Sequence, residues 1–293
     1  MKLAPHQVHR PTSVADALGL RGELGDDAVL YAGGTELLLV MKLGLADYRH
    51  LIDLKRVEGI AGIEFDNEQV TIGSTVTHLQ VERDATVRHR FPALSAMVSG
   101  IGNLRVRNTG TLGGNLAFAD PHSDPATFLT ALDGTVSIAN GLGVTRECAV
   151  AELTLGAYTT VLAENEMITS ISVPLPQPGT AIVHKHVRFR ERPALTITVS
   201  LRRNREELAE VRVAVGSICA APVRLEAVER LLRDQETEVG SAIRQAAMEQ
   251  IEPVDDLDGS AAYKRHLMGE MVVRCVEAAL DSSTRATERS QWN

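Results

Sequence analysis

Residues 100–134 read GIGNLRVRNTGTLGGNLAFADPHSDPATFLTALDG, and how Gly110 to Asn115 near the middle are understood decides the organisation of the chain. Thr111, Leu112, Gly113, Gly114 and Asn115 follow Gly110 so closely that the backbone must bend there and approach something. Such glycines serve either a turn, where positive φ carries no steric cost, or a ligand, where bare main-chain N–H groups come within hydrogen-bonding distance of an anion. A run of the same make-up, Ala32, Gly33, Gly34, Thr35 and Glu36, lies far upstream. Two small-residue loops, each with a hydroxyl and a polar end residue, are suited to close on one phosphorylated ligand from two sides.

On the N-terminal side of these glycines, Ile101 to Arg107 reads as strand or turn, and Asn103, Arg105, Arg107 and Asn108 make it too polar for a buried strand. Such a segment is expected to line a cavity. Beyond the glycines, Ala117, Phe118 and Ala119 lead to Asp120, Pro121, His122, Ser123, Asp124 and Pro125. Ser123 or Asp124 is set to cap a helix with Pro125 at its first position, Phe128, Leu129 and Leu132 on its apolar face and Gly134 as its stop.

Upstream, Thr12 or Ser13 caps a weak helix, Ala28 to Ala32 is a short buried strand, and Glu36 to Leu43 (ELLLVMKL) is a strong helix former. The first glycine run therefore joins a strand to a helix N-terminus, a ready anion site or a plain turn. Residues 49–54 and 69–73 read as strands, with Asp66 and Asn67 as a hairpin turn. Thr77 caps a helix through about Asp84, and a further helix is expected over Arg90 to Val98. His50, His78 and His89 are isolated and read as surface or satisfied core residues.

Downstream, strands are expected at Val136–Ala139, Thr159–Leu162 and Ile168–Val173, with a tight turn at Glu164 and Asn165. Pro174, Pro176, Pro178 and Gly179 then break the pattern and mark the best domain boundary. Past it, Leu195, Ile197, Val199 and Leu201 alternate with Thr196, Thr198 and Ser200, and Val211, Val213 and Val215 alternate likewise, as half-buried antiparallel strands do. Helices follow around Leu225–Leu232, over residues 239–250 and over Tyr263–Leu280, with a frayed tail from Asp281. The coarse class is α+β.

The chain of 293 residues has room for two or three domains, and 44% apolar residues suffice for cores of ordinary size. A net charge of -8 and only 3% aromatics exclude a nucleic-acid surface. Cys148, Cys219 and Cys275 are too scattered for an iron–sulfur or zinc site built by this chain. They read as buried free thiols, and with no signal-like apolar N-terminus they place the protein in the reducing cytoplasm. No apolar run approaches the roughly 20 residues that a membrane helix needs. GxGxxG, GxxxxGK[ST] and GxSxG are all missing, so any phosphate must be cradled by main chain, and two loops suit a diphosphate.

AGGTEL at Ala32–Leu37, TLGGNLAFADPHSDPATFLTALDG from Thr111 and ENEMITSISVP from Glu164 resemble the FAD-binding medium subunit of the molybdenum hydroxylases, the group that includes xanthine dehydrogenase and aerobic carbon monoxide dehydrogenase. The resemblance covers nearly the whole chain. It implies a two-part FAD-binding domain of the vanillyl-alcohol-oxidase-like type over residues 1–177, with subdomains of about 1–55 and 56–177. A C-terminal antiparallel sheet with helices over 178–285 and a tail over 286–293 would follow.

Carried over by position, Ala32 to Glu36 with Leu30, Tyr31 and Leu37 would hold the FAD diphosphate and ribityl region. Thr111, Leu112, Gly113, Gly114 and Asn115 would close on the same diphosphate. Asp124 would sit at the adenosine end, Ile101 and Ile168 would offer apolar contact, and Lys185 in HKHVRFR would lie near the flavin. The segment Arg188–Arg192 and Pro193 depart from the family pattern, which leaves open the basic residue that faces the ring.

The family also implies partners: a large molybdopterin subunit, a small subunit with two [2Fe–2S] clusters, and assembly as a dimer of heterotrimers. The chain would be the flavin terminus of an electron relay rather than a complete enzyme, with no catalytic residue and no metal of its own. Two other functions fit the sequence. One is a metal-dependent hydrolase built on Asp120, His122 and Asp124. The other is a non-catalytic assembly module of the same fold.

Overall fold

The computed structural model describes residues 4–204, 207–234 and 240–290. The chain divides into two compact units, one of residues 1–120 with 134–174, the other of residues 121–133 with 175–293. The segment 121–133, expected within a continuous first domain, thus groups with the C-terminal part.

The first unit holds two sheets. Gln7–His9, His50–Asp53 and Ala28–Tyr31 form a small parallel sheet in that order. Parallel neighbours need crossovers, and the helices Val14–Leu24 and Leu37–Lys42 lie in the connections. Ser13 caps the first of these, accepting from the Asp16 amide, and Ala17 and Leu18 pack it against Ala28, Ile52 and Leu54. The second sheet is antiparallel, in the order Ile63–Phe65, Gln69–Gly73, Glu166–Pro174, Thr135–Asn140, Thr145–Ala149. Its alternating Val70, Ile72, Val136, Ile138, Ile171 and Val173 are buried. The Asp66 carboxylate accepts the amides of Glu68 and Gln69 and so closes the expected hairpin.

Several local expectations change. Residues 101–107, read as strand or turn, lead into a helix, Leu104–Thr109, because the Asn103 side chain accepts the amides of Arg105 and Val106. Thr111–Asn115 is no open loop: Thr111 caps the helix Leu112–Phe118, and the glycines form its first turn. Thr159–Thr160 pairs with Thr154–Gly156 rather than with the strand after the Glu164–Asn165 turn. An additional helix, Ala85–Arg90, precedes Pro92–Ser99.

The second unit is a four-stranded antiparallel sheet, Thr180–Arg188, Pro193–Asn204, Glu207–Gly216 and Val223–Arg224 in order. One face packs Leu195, Ile197, Val199, Leu201, Val211, Val213 and Val215 against apolar residues of the helices Glu226–Asp234, Ser241–Gln250 and Ala261–Ser290. The last helix runs to Ser290 instead of fraying at Asp281, and residues 291–293 lie outside the described ones. The central strand is buried on both faces rather than on one: Thr196, Thr198 and Ser200 are as inaccessible as their apolar neighbours. The helix Asp124–Ala131 covers that polar face, with Thr127 Oγ1 2.7 Å from Thr196 Oγ1. Threonine there pairs hydroxyl with hydroxyl instead of facing water, so alternation of type marks two different buried faces.

Candidate functional site

The two glycine-rich segments, more than seventy residues apart in sequence, meet in the first unit. A Cβ built on Gly33 would lie 2.1 Å from the carbonyl oxygen of Thr109 and 2.8 Å from Gly110 Cα. Backbone is stacked on backbone with no room for a methyl group. Gly34 has φ 71° and would drive a Cβ to 2.3 Å from the Tyr31 ring, so the first turn requires glycine for conformation as well as space. In the second segment, a Cβ on Gly113 would strike Ser74 at 2.5 Å. Lys55 braces the first turn from the side, with its ammonium 3.3 Å from the Ala32 carbonyl and 4.1 Å from the centre of the Tyr31 ring.

Their main-chain donors differ. In the second segment the amide of Leu112 donates to Val76 O, Gly113 to Ser74 O, Gly114 to Thr111 Oγ1 and Asn115 to Thr111 O. Those groups are spent on the fold, which corrects the expectation of free amides on both sides. In the first turn, the amides of Gly33, Gly34 and Thr35 have no protein acceptor among the described residues. The helix that follows, Leu37–Lys42, has no side-chain N-cap bond, and with six residues its dipole is small. The turn itself is therefore the donor surface.

Both segments line one cavity of about 640 Å³, within the range of small-molecule and cofactor sites. Of the positions singled out in the sequence, Leu30, Ala32, Gly33, Gly34, Thr35, Glu36, Leu37, Ile101, Thr111, Gly113, Gly114, Asn115 and Ile168 line it. Tyr31 stands behind the turn, and Leu112 is fully buried. The segment reaches the cavity through its apolar Ile101 and Val106 rather than through the polar residues that suggested a lining role: Asn103 caps a helix and Arg107 pairs with Glu82.

The wall also includes residues that the sequence reading passed over. Tyr158, held at φ 59°, packs edge-on to Phe118 with ring centres 5.4 Å apart. Glu166 is paired with Arg146 at 2.7 Å, and hydrogen bonds from that arginine hold its carboxyl down to about 2. Ser74 Oγ and His78 Nδ1 are buried without a hydrogen-bond partner among the described residues. His78, expected to be a surface or satisfied core histidine, is 2% exposed. Burial, helped by the charge of Arg107, pushes its pKa down to about 4, so the ring is neutral at physiological pH. Its place directly behind the helix cap Thr77 was its only signal.

Asp124 and Lys185 belong to the second unit. Asp124 is buried, and its carboxylate meets His184 Nε2, His186 Nδ1 and Arg188, each at 3.3 Å. Burial works to raise its pKa, yet the hydrogen bonds of the two histidines prevail and hold it at about 2. His184 is fixed from behind, its Nδ1 2.8 Å from Thr198 Oγ1. Because residues 184, 186 and 188 of this strand all turn to Asp124, the intervening Lys185 emerges on the opposite face.

The proposed metal triad Asp120, His122 and Asp124 does not assemble. Asp124 groups with His184 and His186, His122 groups with Asp256 and Asp258, and Asp120 is in neither group. Arg188 already faces Asp124, Lys264 pairs with Asp256 and Arg190 with Asp258. Cations occupy the positions from which a metal would draw its charge, which removes the basis of the hydrolase reading.

Residues 4–176 match the family described as FAD binding domain in molybdopterin dehydrogenase, and residues 191–279 match that described as CO dehydrogenase flavoprotein C-terminal domain. The carbon monoxide dehydrogenase medium chain of Hydrogenophaga pseudoflava is 33% identical over 93% of this chain and 96% of its own length. The xanthine dehydrogenase FAD-binding subunit of Escherichia coli O157:H7 is 26% identical over 93% of this chain and 95% of its own. In three dimensions, a carbon monoxide dehydrogenase structure from Hydrogenophaga pseudoflava superposes with a TM-score of 0.91 at 31% identity, over 96% of this chain and 99% of that one.

Proposed function

Because this chain belongs to the FAD-binding family of the molybdopterin dehydrogenases, we propose that it is the flavin terminus of an electron relay, receiving electrons from [2Fe–2S] clusters on a small partner subunit. A large partner subunit would oxidise the substrate at a molybdopterin centre. The assembly we propose is a dimer of such heterotrimers, in the cytoplasm.

The observation that carries the reading is the first glycine turn. Three consecutive amides, those of Gly33, Gly34 and Thr35, lack a protein acceptor among the described residues and border a cavity of cofactor size. Unpaired main-chain donors at such a place are what an anionic diphosphate satisfies. Gly33, stacked on the Thr109–Gly110 backbone, holds the turn in that shape, and Gly113 and Gly114 keep the facing wall bare of side chains. Leu30, Ile101 and Ile168 supply apolar surface for the rest of the ligand. Asp124 and Lys185 stand as contacts on the strength of the resemblance alone.

FAD supplies the redox chemistry when bound, and the chain supplies position, water exclusion and electrostatics. Burial raises the thiols of Cys219 and Cys275 to about 11, so both are protonated at physiological pH.

The test is to express the chain alone, reconstitute it with FAD and read visible flavin absorbance after desalting. A yellow protein that binds the molybdopterin and cluster subunits is expected. A chain that stays colourless with excess FAD would overturn the reading.

A further inference from the structure

The cavity wall contains a histidine that neither the fold nor the glycine turns account for. His78 opens the helix His78–Arg83 and is locked there from both sides of its backbone. Thr77 and Gln80 form a reciprocal cap, and the His78 amide donates to the Gly110 carbonyl at 3.0 Å. The ring is thereby delivered to the meeting point of the two glycine segments: a Cβ on Gly110 would lie 3.2 Å from His78 Cδ2 and 3.3 Å from Thr35 Oγ1.

Among the described residues the Nδ1 of His78 has no hydrogen-bond partner, although the residue is almost wholly buried. Ser74 Oγ, on the same wall, is likewise alone. Buried polar groups are nearly always satisfied, and those that are not call for a partner from outside the chain. The imidazole is neutral and carries one N–H, so it can donate to an anion without the desolvation that a buried cation would impose. Its ring and the side chain of Thr35, whose amide is one of the three donors of the first turn without a protein acceptor among the described residues, both border Gly110.

We propose that His78 is a ligand-binding residue of this site, donating a hydrogen bond to the diphosphate of the bound dinucleotide beside the Gly33–Thr35 amides. The inference rests on the FAD reading above and adds to it a side-chain donor that contacts phosphate rather than ring.

The test titrates apoprotein with FAD and, separately, with riboflavin, which lacks phosphate, following flavin fluorescence. In His78→Leu, FAD affinity should fall about tenfold or more, the range for a hydrogen bond to a charged group, while riboflavin affinity is unchanged. His78→Gln, which keeps a donor, should recover much of the loss. The apoprotein of His78→Leu should unfold no earlier than wild type, since an unsatisfied polar ring has been replaced by an apolar side chain. Wild-type FAD affinity in His78→Leu would overturn the proposal and leave the FAD reading standing. An equal loss for FAD and riboflavin would also overturn it, by marking His78 as packing. Failure of the wild type itself to bind FAD would refute the parent reading and this one together.

Discussion

Replacing Gly33 by alanine tests the contact between the two glycine segments with the smallest possible probe. The added Cβ would start 2.1 Å from the Thr109 carbonyl oxygen, and an ordinary contact begins at 3.4 Å, so the backbones must separate by about 1.3 Å (3.4 − 2.1). Both neighbours are main chain, so no side chain can swing away to absorb the change. Forcing a methyl group into a packed site costs about 1–3 kcal/mol. If the strain is relieved by moving the turn that carries the free amides, it appears in affinity, as a loss of about 5- to 150-fold for FAD. The assay is fluorescence titration of apoprotein, with urea unfolding of the same apoprotein as companion. The expected pattern is weaker FAD binding with a comparatively small change in apoprotein stability. Unaltered FAD affinity in Gly33→Ala would refute the reasoning, because the turns would then not be held together by this contact.

Three further outcomes are expected. Gly22→Ala, in the helix Val14–Leu24 where a Cβ meets nothing within 4 Å, should stabilise the chain by about 0.5–1 kcal/mol, read as a higher urea midpoint without loss of flavin. Asp124 has its pKa lowered from 3.8 to about 2, so its ionised form stabilises the fold above about pH 4, and that contribution is lost as the pH falls towards 2. Asp124→Asn should remove about 2 kcal/mol at neutral pH and flatten acid unfolding across that window, which thermal melts at several pH values would show. Thr127→Val or Thr196→Val alone should cost about 0.5–1.5 kcal/mol by removing the bond between the two hydroxyls, since Thr196 Oγ1 keeps Ser217 Oγ and Thr127 Oγ1 keeps the Ser123 carbonyl. The double variant should cost less than the sum, a coupling that a denaturant double-mutant cycle would detect.

Much of this architecture was legible because local chemistry and tertiary role agree. Ser13 and Thr77 are capping residues where the helices start, Asp66 is a turn residue where the hairpin closes, and Ala28–Tyr31 runs straight into glycines that only a close approach would require. The site was legible for the same reason: Gly33, Gly34, Gly113 and Gly114 stand where a side chain would collide, and collisions restrict residue type without knowledge of the partner. The misreadings have a common physical origin as well. Asn103 and Thr111 are caps, but the helices behind them have six and seven residues, too short for apolar periodicity to show. His78 carries no local sign of burial, because what buries it comes from segments distant in sequence.

The same distinction bears on which polar groups are functional. Asp124, with His184, His186 and Arg188 around it, is the more conspicuous cluster, and its carboxylate is fully answered by the protein. A charge so enclosed has no unfilled valence with which to recruit a metal, and its expected contribution is to stability. The Gly33–Thr35 amides and the His78 ring are the reverse, modest groups whose hydrogen-bonding capacity the chain leaves unused beside a cavity. An unfolded chain would satisfy them with water, so the apoprotein sacrifices stability to keep them ready, and a ligand that answers them should restore it. Saturation with FAD should accordingly raise the thermal midpoint by more in wild type than in His78→Leu, because the variant has less unmet hydrogen bonding for the ligand to satisfy. Equal ligand-induced shifts in the two proteins would show that the unpaired groups are incidental to binding.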